Sequence, residues 1–355
     1  MLYSLVIGLA VVVGLSIIMV EFRAMLRVTL FGSRNQSSSF EPARDIPSLE
    51  GKVVLITGAA GDLGRQTTVE LARYGRPARI YIADLPLDEG ARKKLVHRIA
   101  HEVNGLGSEK KDGMATEIRF LDLDLTSFES VRKCAAEFVA KEERLDILVL
   151  NAGIIHVATG LTREGFEIHL GLNYLGHALL SRLLLPTMLR TAQQHPNADL
   201  RVVVVSSEGH AMAPKGGIQF DKLRTDCADM SYTQRYGQSK LALIGLTREL
   251  AREYPQLKSV AIHPGRILTG MAVSLRKESL LARITAPIAP LVCVSVADGV
   301  KNHLWAATSP DAESGRYYEP VGVAGKETAV ARNEDLFRRL REWTDNELEG
   351  VSLTE

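Results

Sequence analysis

The sequence predicts an α/β fold in which one doubly wound parallel sheet carries helices on both faces, preceded by one N-terminal transmembrane helix. Short apolar runs alternate with longer segments of helical periodicity through most of the 355 residues, and this alternation is typical of a parallel sheet. A glycine-rich turn joins the first apolar run to the first helical segment. The opening 20 residues carry no charged side chain, which separates them from the domain that follows.

Residues 1–20 form an apolar run about as long as a bilayer-spanning helix requires. Arg23, Arg27 and Arg34 outweigh Glu21 on its C-terminal side, so the positive-inside tendency places the main body in the cytosol. We expect a single-pass protein of the endoplasmic reticulum membrane. A cleaved signal peptide fits less well, because no basic segment precedes the run and no clear cleavage site follows it. A buried helix of the soluble fold is the other alternative.

The predicted organisation is an anchor at 1–20, a juxtamembrane segment and linker at 21–50, and one globular domain at 51–355. Within the second part, residues 33–49 are polar and contain two prolines, which suits a linker. The composition, 46% hydrophobic and 24% charged, is that of a globular protein. The net charge of +1 gives no electrostatic basis for binding nucleic acid, and the three distant cysteines form no metal-ligand spacing.

The globular domain begins with an apolar strand at 53–56, which runs into a glycine turn at 57–64 and then a helical segment. Glycines between a strand and a helix let the backbone approach a pyrophosphate and point the helix N-terminus at it. An ordinary glycine turn is the alternative, but the strand before and the helix after favour a Rossmann-type dinucleotide site. Its candidate residues are Gly58, Gly61 and Gly64.

Three more strands, at 79–83, 116–121 and 145–150, alternate with helical segments. The first ends at Asp84, twenty residues past Gly64, where an acid would accept hydrogen bonds from an adenosine ribose. Ligands of a parallel sheet lie beyond its C-terminal strand ends. The residues expected at that edge are Gly58, Asp84, Asp124 and Asn151.

The second half of the domain repeats the pattern. Its elements are a helical segment at 166–189 with Asn173, a strand at 201–205 ending at Ser206 and Ser207, a helix containing Tyr236 and Lys240, a strand at 259–262 leading into 263–269, and an amphipathic terminal helix at 334–349.

Tyr236 and Lys240 are the candidates for the chemistry, because side chains four residues apart share one helix face. A phenol has a pKa of about 10, so it exchanges protons poorly at neutral pH unless a fixed positive charge favours the phenolate. Lys240 would supply that charge. Tyr236 could then give a proton to a carbonyl oxygen, or remove one in the reverse direction. A half-buried structural tyrosine is the alternative.

A second pair with the same spacing, Tyr254 and Lys258, is a weaker candidate. Pro255 follows the tyrosine directly and disfavours helix there, which removes the shared face. Tyr236 instead leads into a run with helical apolar spacing.

Together these residues resemble the short-chain dehydrogenase/reductase family from about residue 51 to 269. The ordered motifs are the glycine turn, Asp124-Leu125, Asn151-Ala152-Gly153, Asn173, Val205-Ser206-Ser207, Tyr236-x3-Lys240 and Pro264-Gly265-x3-Thr269. The resemblance implies that Tyr236 is the acid/base, that Lys240 binds the nicotinamide ribose and lowers the tyrosine pKa, and that Ser207 orients the substrate oxygen. Asn173 would hold a water that links Lys240 to solvent. The residues implied to line the cofactor are Leu63, Asp124, Asn151, Ile267 and Thr269, with Ala152 and Gly153 of the same motif.

Within the family, the chain most resembles the retinol-dehydrogenase-like and steroid-dehydrogenase-like membrane-anchored members. The motif at 172–177 and the long insert between Ser207 and Tyr236 carry this resemblance. One departure is the glycine spacing: Asp62 occupies the middle glycine site, and the resulting spacing is more typical of the extended, sugar-nucleotide branch.

An NAD(P)-dependent oxidoreductase is the favoured function, and two alternatives remain. The glycine spacing suggests an epimerase or dehydratase that retains its nucleotide, although the roughly 85 residues after Thr269 are few for the substrate domain which that branch adds. A membrane-anchored binding protein without catalysis is the other alternative, and intact Ser207, Tyr236 and Lys240 argue against it.

Asp84 favours NAD(H), because a carboxylate repels a 2′-phosphate, although Arg65 beside the glycine turn could hold one. Residues 270–294, expected to shape the substrate pocket, are apolar in patches. They suggest a lipophilic substrate such as a sterol, retinoid, fatty acyl chain or polyketide. The sequence leaves the substrate, the direction of reaction and homo-oligomerisation open.

Overall fold

The computed structural model describes residues 39–105, 116–155, 157–267 and 293–352. They form an eight-stranded sheet in the order β3-β2-β1-β4-β5-β6-β7-β8. The strands are β1 Val53–Thr57, β2 Arg79–Asp84, β3 Glu117–Asp122, β4 Ile147–Leu150, β5 Arg201–Val205, β6 Lys258–Ile262, β7 Tyr317–Glu319 and β8 Val323–Ala324. Every neighbouring pair from β3 to β7 is parallel, which confirms the predicted Rossmann-like α/β fold.

Helices cover both faces of the sheet. They are α1 Pro42–Asp45, α2 Asp62–Glu70, α3 Glu89–Asn104, α4 Phe128–Lys141, α5 Gly176–Gln194, α6 Tyr232–Glu253, α7 Val296–Gly299, α8 Lys301–Thr308 and α9 Glu334–Glu347. A wider π-helical turn, Leu71–Gly75, extends α2, and another, Leu170–Leu175, precedes α5.

The two faces hold two separate apolar clusters, because alternate residues of each strand point to opposite sides. Val53 and Leu55 of β1 join a cluster with α4, α5, α6 and α9. Val54 and Ile56 of the same strand join a cluster with α2, α3 and α8. Every residue of β1 is buried, as expected for a central parallel strand between two helical layers.

Residues 39–50 differ from the predicted linker. They contain α1, and Phe40, Ile46 and Leu49 are buried among the residues of the α2 face. The backbone N–H of Leu49 donates to the carbonyl oxygen of Gly75 at 2.7 Å. The folded domain therefore begins before residue 51, because these three apolar side chains pack beside the first βα unit.

The sheet continues past the sixth predicted strand. After α8, β7 pairs parallel to β6, and β8 turns back antiparallel to β7. The predicted terminal helix is present as α9, with Leu336, Phe337 and Leu340 buried against α6 and its neighbours.

No helix in the described ranges is both long enough and apolar enough to cross a membrane. The predicted anchor at 1–20 and nearly all of the predicted substrate flap at 270–294 lie outside those ranges, as does Thr269.

Candidate active site

A cavity of about 730 Å³ opens at the C-terminal ends of the parallel strands. The predicted site residues that line it are Gly58, Gly61, Leu63, Gly64, Asp84, Asn151, Ala152, Gly153, Ser207, Tyr236, Lys240 and Ile267. Two predicted residues, Asp124 and Asn173, are not among the residues that line the cavity. Parallel strand ends meet at one edge of a sheet, which is why motifs spread over two hundred residues converge here.

The glycine turn presents bare backbone to the cavity. Gly58 has a φ of +67°, and a Cβ there would lie 2.8 Å from the Cα of Ala152. A Cβ on Gly64 would lie 2.4 Å from the carbonyl oxygen of Gly58. Asp62, which replaces the usual middle glycine, is the first residue of α2 and also lines the cavity.

Thr57 ties the turn to the end of β4. Its hydroxyl oxygen accepts hydrogen bonds from the backbone N–H groups of Asn151 and Ala152 at 2.9 and 3.0 Å. The side-chain amide of Asn151 donates back to the carbonyl oxygen of Thr57 at 2.9 Å. The buried imidazole of His177 lies 2.9 Å from the same hydroxyl. These contacts fix the spacing between the first and fourth strand ends.

Asp84 lies beside the glycine turn at the end of β2. Its carboxylate accepts from the backbone N–H groups of Ala60 and Leu85, both at 2.8 Å. Arg65, the residue that could hold a 2′-phosphate, forms an ion pair with Glu102 of α3 instead. The carboxylate therefore lines the cavity while the guanidinium is engaged outside it.

Asp124 stabilises a turn with its side chain. One carboxylate oxygen accepts from the backbone N–H of Thr126 at 2.9 Å and from its hydroxyl at 2.6 Å. The neighbouring Leu123 and Leu125 line the cavity instead.

Asn173 lies in the π-helical turn before α5, and wide turns of this kind are frequent at functional sites. Its amide donates to the hydroxyl of Ser239 at 2.9 Å and to the carbonyl oxygen of Ile154 at 3.0 Å. A Cβ added to Gly153 would lie 3.2 Å from the Asn173 Oδ1 and 3.3 Å from the Lys240 Nζ. Asn173 and Lys240 thus meet at one glycine of the cavity floor.

Tyr236 and Lys240 share a face of α6, which begins with a capping box formed by Ser231 and Gln234. Both side chains are buried, at 9% and 4% exposure, and the Lys240 Nζ lies 5.7 Å from the centroid of the Tyr236 ring. The ammonium donates to the carbonyl oxygen of Val205 at 2.9 Å. Ser207, which caps a short 3₁₀ turn after β5, hydrogen bonds with the tyrosine hydroxyl.

Burial controls the protonation of both groups. Burial raises the pKa of Tyr236, the hydrogen bond from Ser207 lowers it by less, and the charge of Glu208 adds to the rise, so that the resulting pKa is about 12. Burial also lowers the pKa of Lys240 to about 7. Lys240 does not contribute to the pKa of Tyr236 in this structure, because its own pKa of about 7 makes the amine neutral before the phenol loses its proton.

Glu208 and Arg266 are cavity residues that the sequence analysis did not single out. The Arg266 Nε lies 2.6 Å from the Glu208 Oε1, and the Arg266 Nη2 lies 3.1 Å from Oε2. His263 also lines the cavity, with its Nε2 3.8 Å from the Glu208 Oε1, and burial lowers its pKa to about 3. The available signal for Glu208 was its position in the sequence, since it is a charged residue directly after Ser206 and Ser207, which follow β5.

The competing pair is separated by the end of α6. The helix ends at Glu253, Tyr254 follows it with non-helical backbone angles, and Lys258 begins β6. The two side chains therefore share no helix face, as the proline predicts.

The cavity fits a dinucleotide. A glycine with positive φ, a helix N-terminus and a strand-end carboxylate meet around it, and a Cβ on Gly58 or Gly153 would crowd the neighbouring residues of the lining. Gly58, Gly61, Gly64 and Asp84 would hold the phosphates and ribose, and Lys240 lies at the other end.

Comparison with known proteins points the same way. Residues 52–219 match the short chain dehydrogenase family. The chain is 37% identical over 303 residues to an uncharacterized oxidoreductase of Schizosaccharomyces pombe, covering 83% of this chain and 85% of the relative. It is 34% identical over 317 residues to retinol dehydrogenase 14 of Mus musculus, covering 87% and 89%.

Solved structures share the fold. An uncharacterized protein of Mycobacterium paratuberculosis aligns with a TM-score of 0.62 at 27% identity, covering 87% of this chain and 97% of that one. A short chain dehydrogenase of Shigella flexneri, solved in complex with NADP, aligns with a TM-score of 0.55 at 20% identity, covering 78% and 98%.

Proposed function

Because this chain belongs to the short-chain dehydrogenase/reductase family, and is an NAD(P)-dependent oxidoreductase, we propose that it interconverts a carbonyl and an alcohol on a lipophilic substrate, with Tyr236 as acid/base. The observation that carries the proposal is the convergence of Ser207, Tyr236 and Lys240 in one cavity beside the glycine turn. The bound nicotinamide supplies or accepts the hydride. This chain's own residues bind, orient and move the proton.

In the reducing direction, the hydroxyl of Tyr236 donates its proton to the substrate oxygen while the hydroxyl of Ser207 donates a second hydrogen bond to that oxygen. Both donors favour the charge that develops there. A phenol with a pKa raised by burial holds its proton, so reduction begins from the protonated form. In the oxidising direction Tyr236 must first lose that proton, and a positive charge on Lys240 would favour the loss.

Lys240 and Asn173 support a route that restores the proton. Lys240 has a pKa lowered to about 7, so near neutral pH it can accept or release a proton without a large free-energy cost. Asn173 lies at the same glycine of the cavity floor, next to Lys240. We propose that the water linking Lys240 to solvent lies at this position, beside Gly153.

NAD(H) is the proposed preference. Asp84 lines the ribose end of the cavity, and Arg65 is paired with Glu102. A 2′-phosphate would meet a carboxylate with no guanidinium beside it. Binding constants of NADH and NADPH, measured by fluorescence titration, test this: tighter NADPH binding would mean that Arg65 leaves Glu102.

A lipophilic substrate is supported by the apolar part of the lining, which includes Leu125, Ile154, Ile155 and Leu172. The relatives named as retinol dehydrogenases are consistent with such a substrate. A membrane anchor at 1–20, with the domain facing the cytosol, would place the cavity close to a lipid phase from which such a molecule could partition.

Purified protein mixed with NADH or NADPH and a panel of hydrophobic ketones and aldehydes tests the function. We expect net oxidation of added cofactor with at least one carbonyl. A nucleotide-retaining epimerase would convert substrate without net cofactor turnover, and a binding protein would do neither.

A further inference from the structure

His177 is a fully buried titratable side chain that the proposed reaction does not use. It is the second residue of α5. Its Nε2 lies 2.9 Å from the hydroxyl oxygen of Thr57 at the end of β1, and its Nδ1 lies 2.8 Å from the carbonyl oxygen of Asn173 in the π-helical turn. One imidazole therefore joins two elements that carry different parts of the site.

The contacts of Thr57 assign the proton on the ring. Its hydroxyl oxygen accepts from the backbone N–H groups of Asn151 and Ala152, which occupies both lone pairs. The hydroxyl hydrogen is then left to donate, and the Nε2 of His177 is a closer acceptor than the carbonyl oxygen of Val149 at 3.5 Å. The Nδ1 therefore carries the ring proton and donates it to the π-helical turn. Burial lowers the pKa of His177 to about 4, which favours this neutral form at neutral pH.

The Thr57 end of the imidazole acts on the glycine turn. The Thr57 hydroxyl holds the backbone N–H of Ala152, and a Cβ on Gly58 would lie only 2.8 Å from the Ala152 Cα. Without the imidazole the hydroxyl rotates towards another acceptor, and its lone pairs turn away from the two N–H groups. Ala152 can then shift against Gly58, which lines the cavity where the dinucleotide fits.

The other end of the imidazole acts on the backbone of Asn173. The Asn173 side chain accepts from the backbone N–H of Ile154 at 2.8 Å and donates to its carbonyl oxygen at 3.0 Å. It also meets Lys240 at Gly153. Besides burial, the charge of Lys240 lowers the pKa of His177, as expected for two neighbouring groups. A shift of the Asn173 backbone would therefore disturb the proton route proposed for Lys240.

We infer that His177 is a positioning residue that fixes the spacing between the glycine turn and the Asn173–Lys240 end of the cavity. A bound dinucleotide reaches across this distance. The spacing therefore decides whether the nicotinamide lies at Tyr236 when the phosphates lie at the turn, and small misplacements of this kind cost much activity. The inference rests on the proposed function and adds to it a residue outside the cavity lining.

A purely structural imidazole is the competing explanation. Its loss would lower the Tm and leave the NADH binding constant of the folded protein unchanged. Loss of a positioning residue instead makes the binding-competent arrangement a minor state of the folded protein. The apparent NADH affinity then falls by the fraction that this state occupies.

His177→Phe keeps an aromatic ring in the core and removes both nitrogens. We expect it to weaken NADH binding about tenfold or more, since one buried hydrogen bond left unmade is worth about that much, and to lower kcat as well. Thr191→Val is the matched control. Thr191 is buried on the same helix, and its hydroxyl accepts from the backbone N–H of Leu145 at 3.0 Å, at the edge of the sheet opposite the cavity. This variant should have a lower Tm and wild-type NADH binding.

Two amide variants separate the two ends of the link. The amide oxygen of a glutamine lies as many bonds from Cβ as the Nε2 of a histidine, so His177→Gln keeps an acceptor for Thr57 and loses the donor to Asn173. The amide nitrogen of an asparagine matches Nδ1 in the same way, so His177→Asn keeps the donor alone. We expect His177→Gln to lose more in kcat than in NADH affinity, and His177→Asn to lose more in NADH affinity than in kcat.

Thr57→Val adds a readout that needs no turnover. If Thr57 and His177 act as one unit, Thr57→Val/His177→Phe binds NADH about as weakly as the weaker single variant. Losses that multiply, wild-type NADH binding in folded His177→Phe, or equal effects of the two amide variants would each overturn the inference. The amide variants carry the binding test if His177→Phe does not fold. If the wild-type protein reduces no carbonyl while NADH binding follows this pattern, the proposed function fails and His177 remains a positioning residue of the cofactor site.

Discussion

Lys240 is an amine held almost entirely out of water, with the carbonyl oxygen of Val205 as its acceptor. Burial disfavours the charged form and lowers the pKa of Lys240 from 10.5 to about 7. The same burial raises the pKa of Tyr236 to about 12. Each group is therefore shifted towards its neutral form in the folded protein.

The Lys240 shift predicts a pH dependence of stability. Between about pH 7 and pH 10.5 the unfolded chain binds the lysine proton and the folded chain does not, so stability rises with pH in this window. Relative to a Lys240→Met variant, we expect the wild-type protein to gain unfolding free energy through this window and to show a constant difference below it. Urea unfolding at a series of pH values measures this.

Lys93→Met is the matched control, because that ammonium is exposed and pairs with Glu89 on the surface of α3. Its difference from the wild-type protein should stay flat from pH 7 to 9. Parallel curves for Lys240→Met and the wild-type protein over the same range would show that Lys240 is solvated in the folded chain.

At the scale of elements, the turn between β1 and α2 depends on backbone contact. A Cβ on Gly64 would lie 2.4 Å from the Gly58 carbonyl oxygen, 2.7 Å from the Ala59 Cα and 2.8 Å from the Asn151 amide nitrogen. Two of these atoms are backbone and cannot move without opening the turn. The shape of the candidate phosphate site is therefore set by the absence of one methyl group.

We expect Gly64→Ala to weaken NADH binding by about tenfold or more, because one displaced backbone contact costs on the order of a hydrogen bond to a charged group. Fluorescence titration of the cofactor measures the binding constant. Gly160→Ala is the control, since a Cβ there meets nothing within 4 Å. Unchanged binding in Gly64→Ala would mean that the cofactor does not contact this turn.

On the scale of the whole molecule, the chain before β1 is part of the core. Phe40 and Ile46 are buried, and burying one large apolar side chain contributes about 1.5–3 kcal/mol. We expect a chain that begins at Ser39 to have a higher Tm than one that begins at Ser48. Equal melting temperatures in differential scanning calorimetry would show that residues 39–47 contribute nothing to stability.

The anchor makes a separate prediction. Residues 1–20 are long enough to rise about 30 Å as a helix, which spans a hydrocarbon core once. We expect the full-length protein to stay in the membrane pellet after carbonate extraction, and protease added to sealed microsomes to digest the domain. If the domain were protected until detergent is added, the predicted orientation would be wrong. If carbonate extracted the full-length protein, the prediction of a membrane anchor would be wrong.

The central sheet was predictable because its strands are buried on both faces, and such strands appear as continuous apolar runs such as 53–56 and 201–205. The strand ends then placed Asp84, Asn151 and Ser207 along one edge. The short β7 and β8 were missed, since Tyr317–Glu319 has no apolar run to mark it. The packing of Phe40 and Ile46 was missed because these residues are isolated among polar neighbours.

Side-chain pairing within the site was not predictable. Glu208 and Arg266 lie 58 positions apart in the sequence, and only the register of β5 on β6 brings the segments after these strands together. Arg65 could be read from the sequence as a phosphate ligand, but its pairing with Glu102 depends on how α3 packs beside α2. The direction of Lys240 towards Val205 likewise follows from tertiary burial rather than from helix spacing.

The most direct test of the account compares Tyr236→Phe with Tyr254→Phe in NADH-dependent carbonyl reduction. Tyr236→Phe removes the transferable proton and keeps the ring, so kcat should fall at least about 100-fold while NADH binding and Tm stay unchanged. Tyr254 lies beyond the end of α6, and its phenylalanine variant should keep wild-type activity. Activity retained in Tyr236→Phe, or abolished only in Tyr254→Phe, would contradict the assignment of Tyr236 as the acid/base.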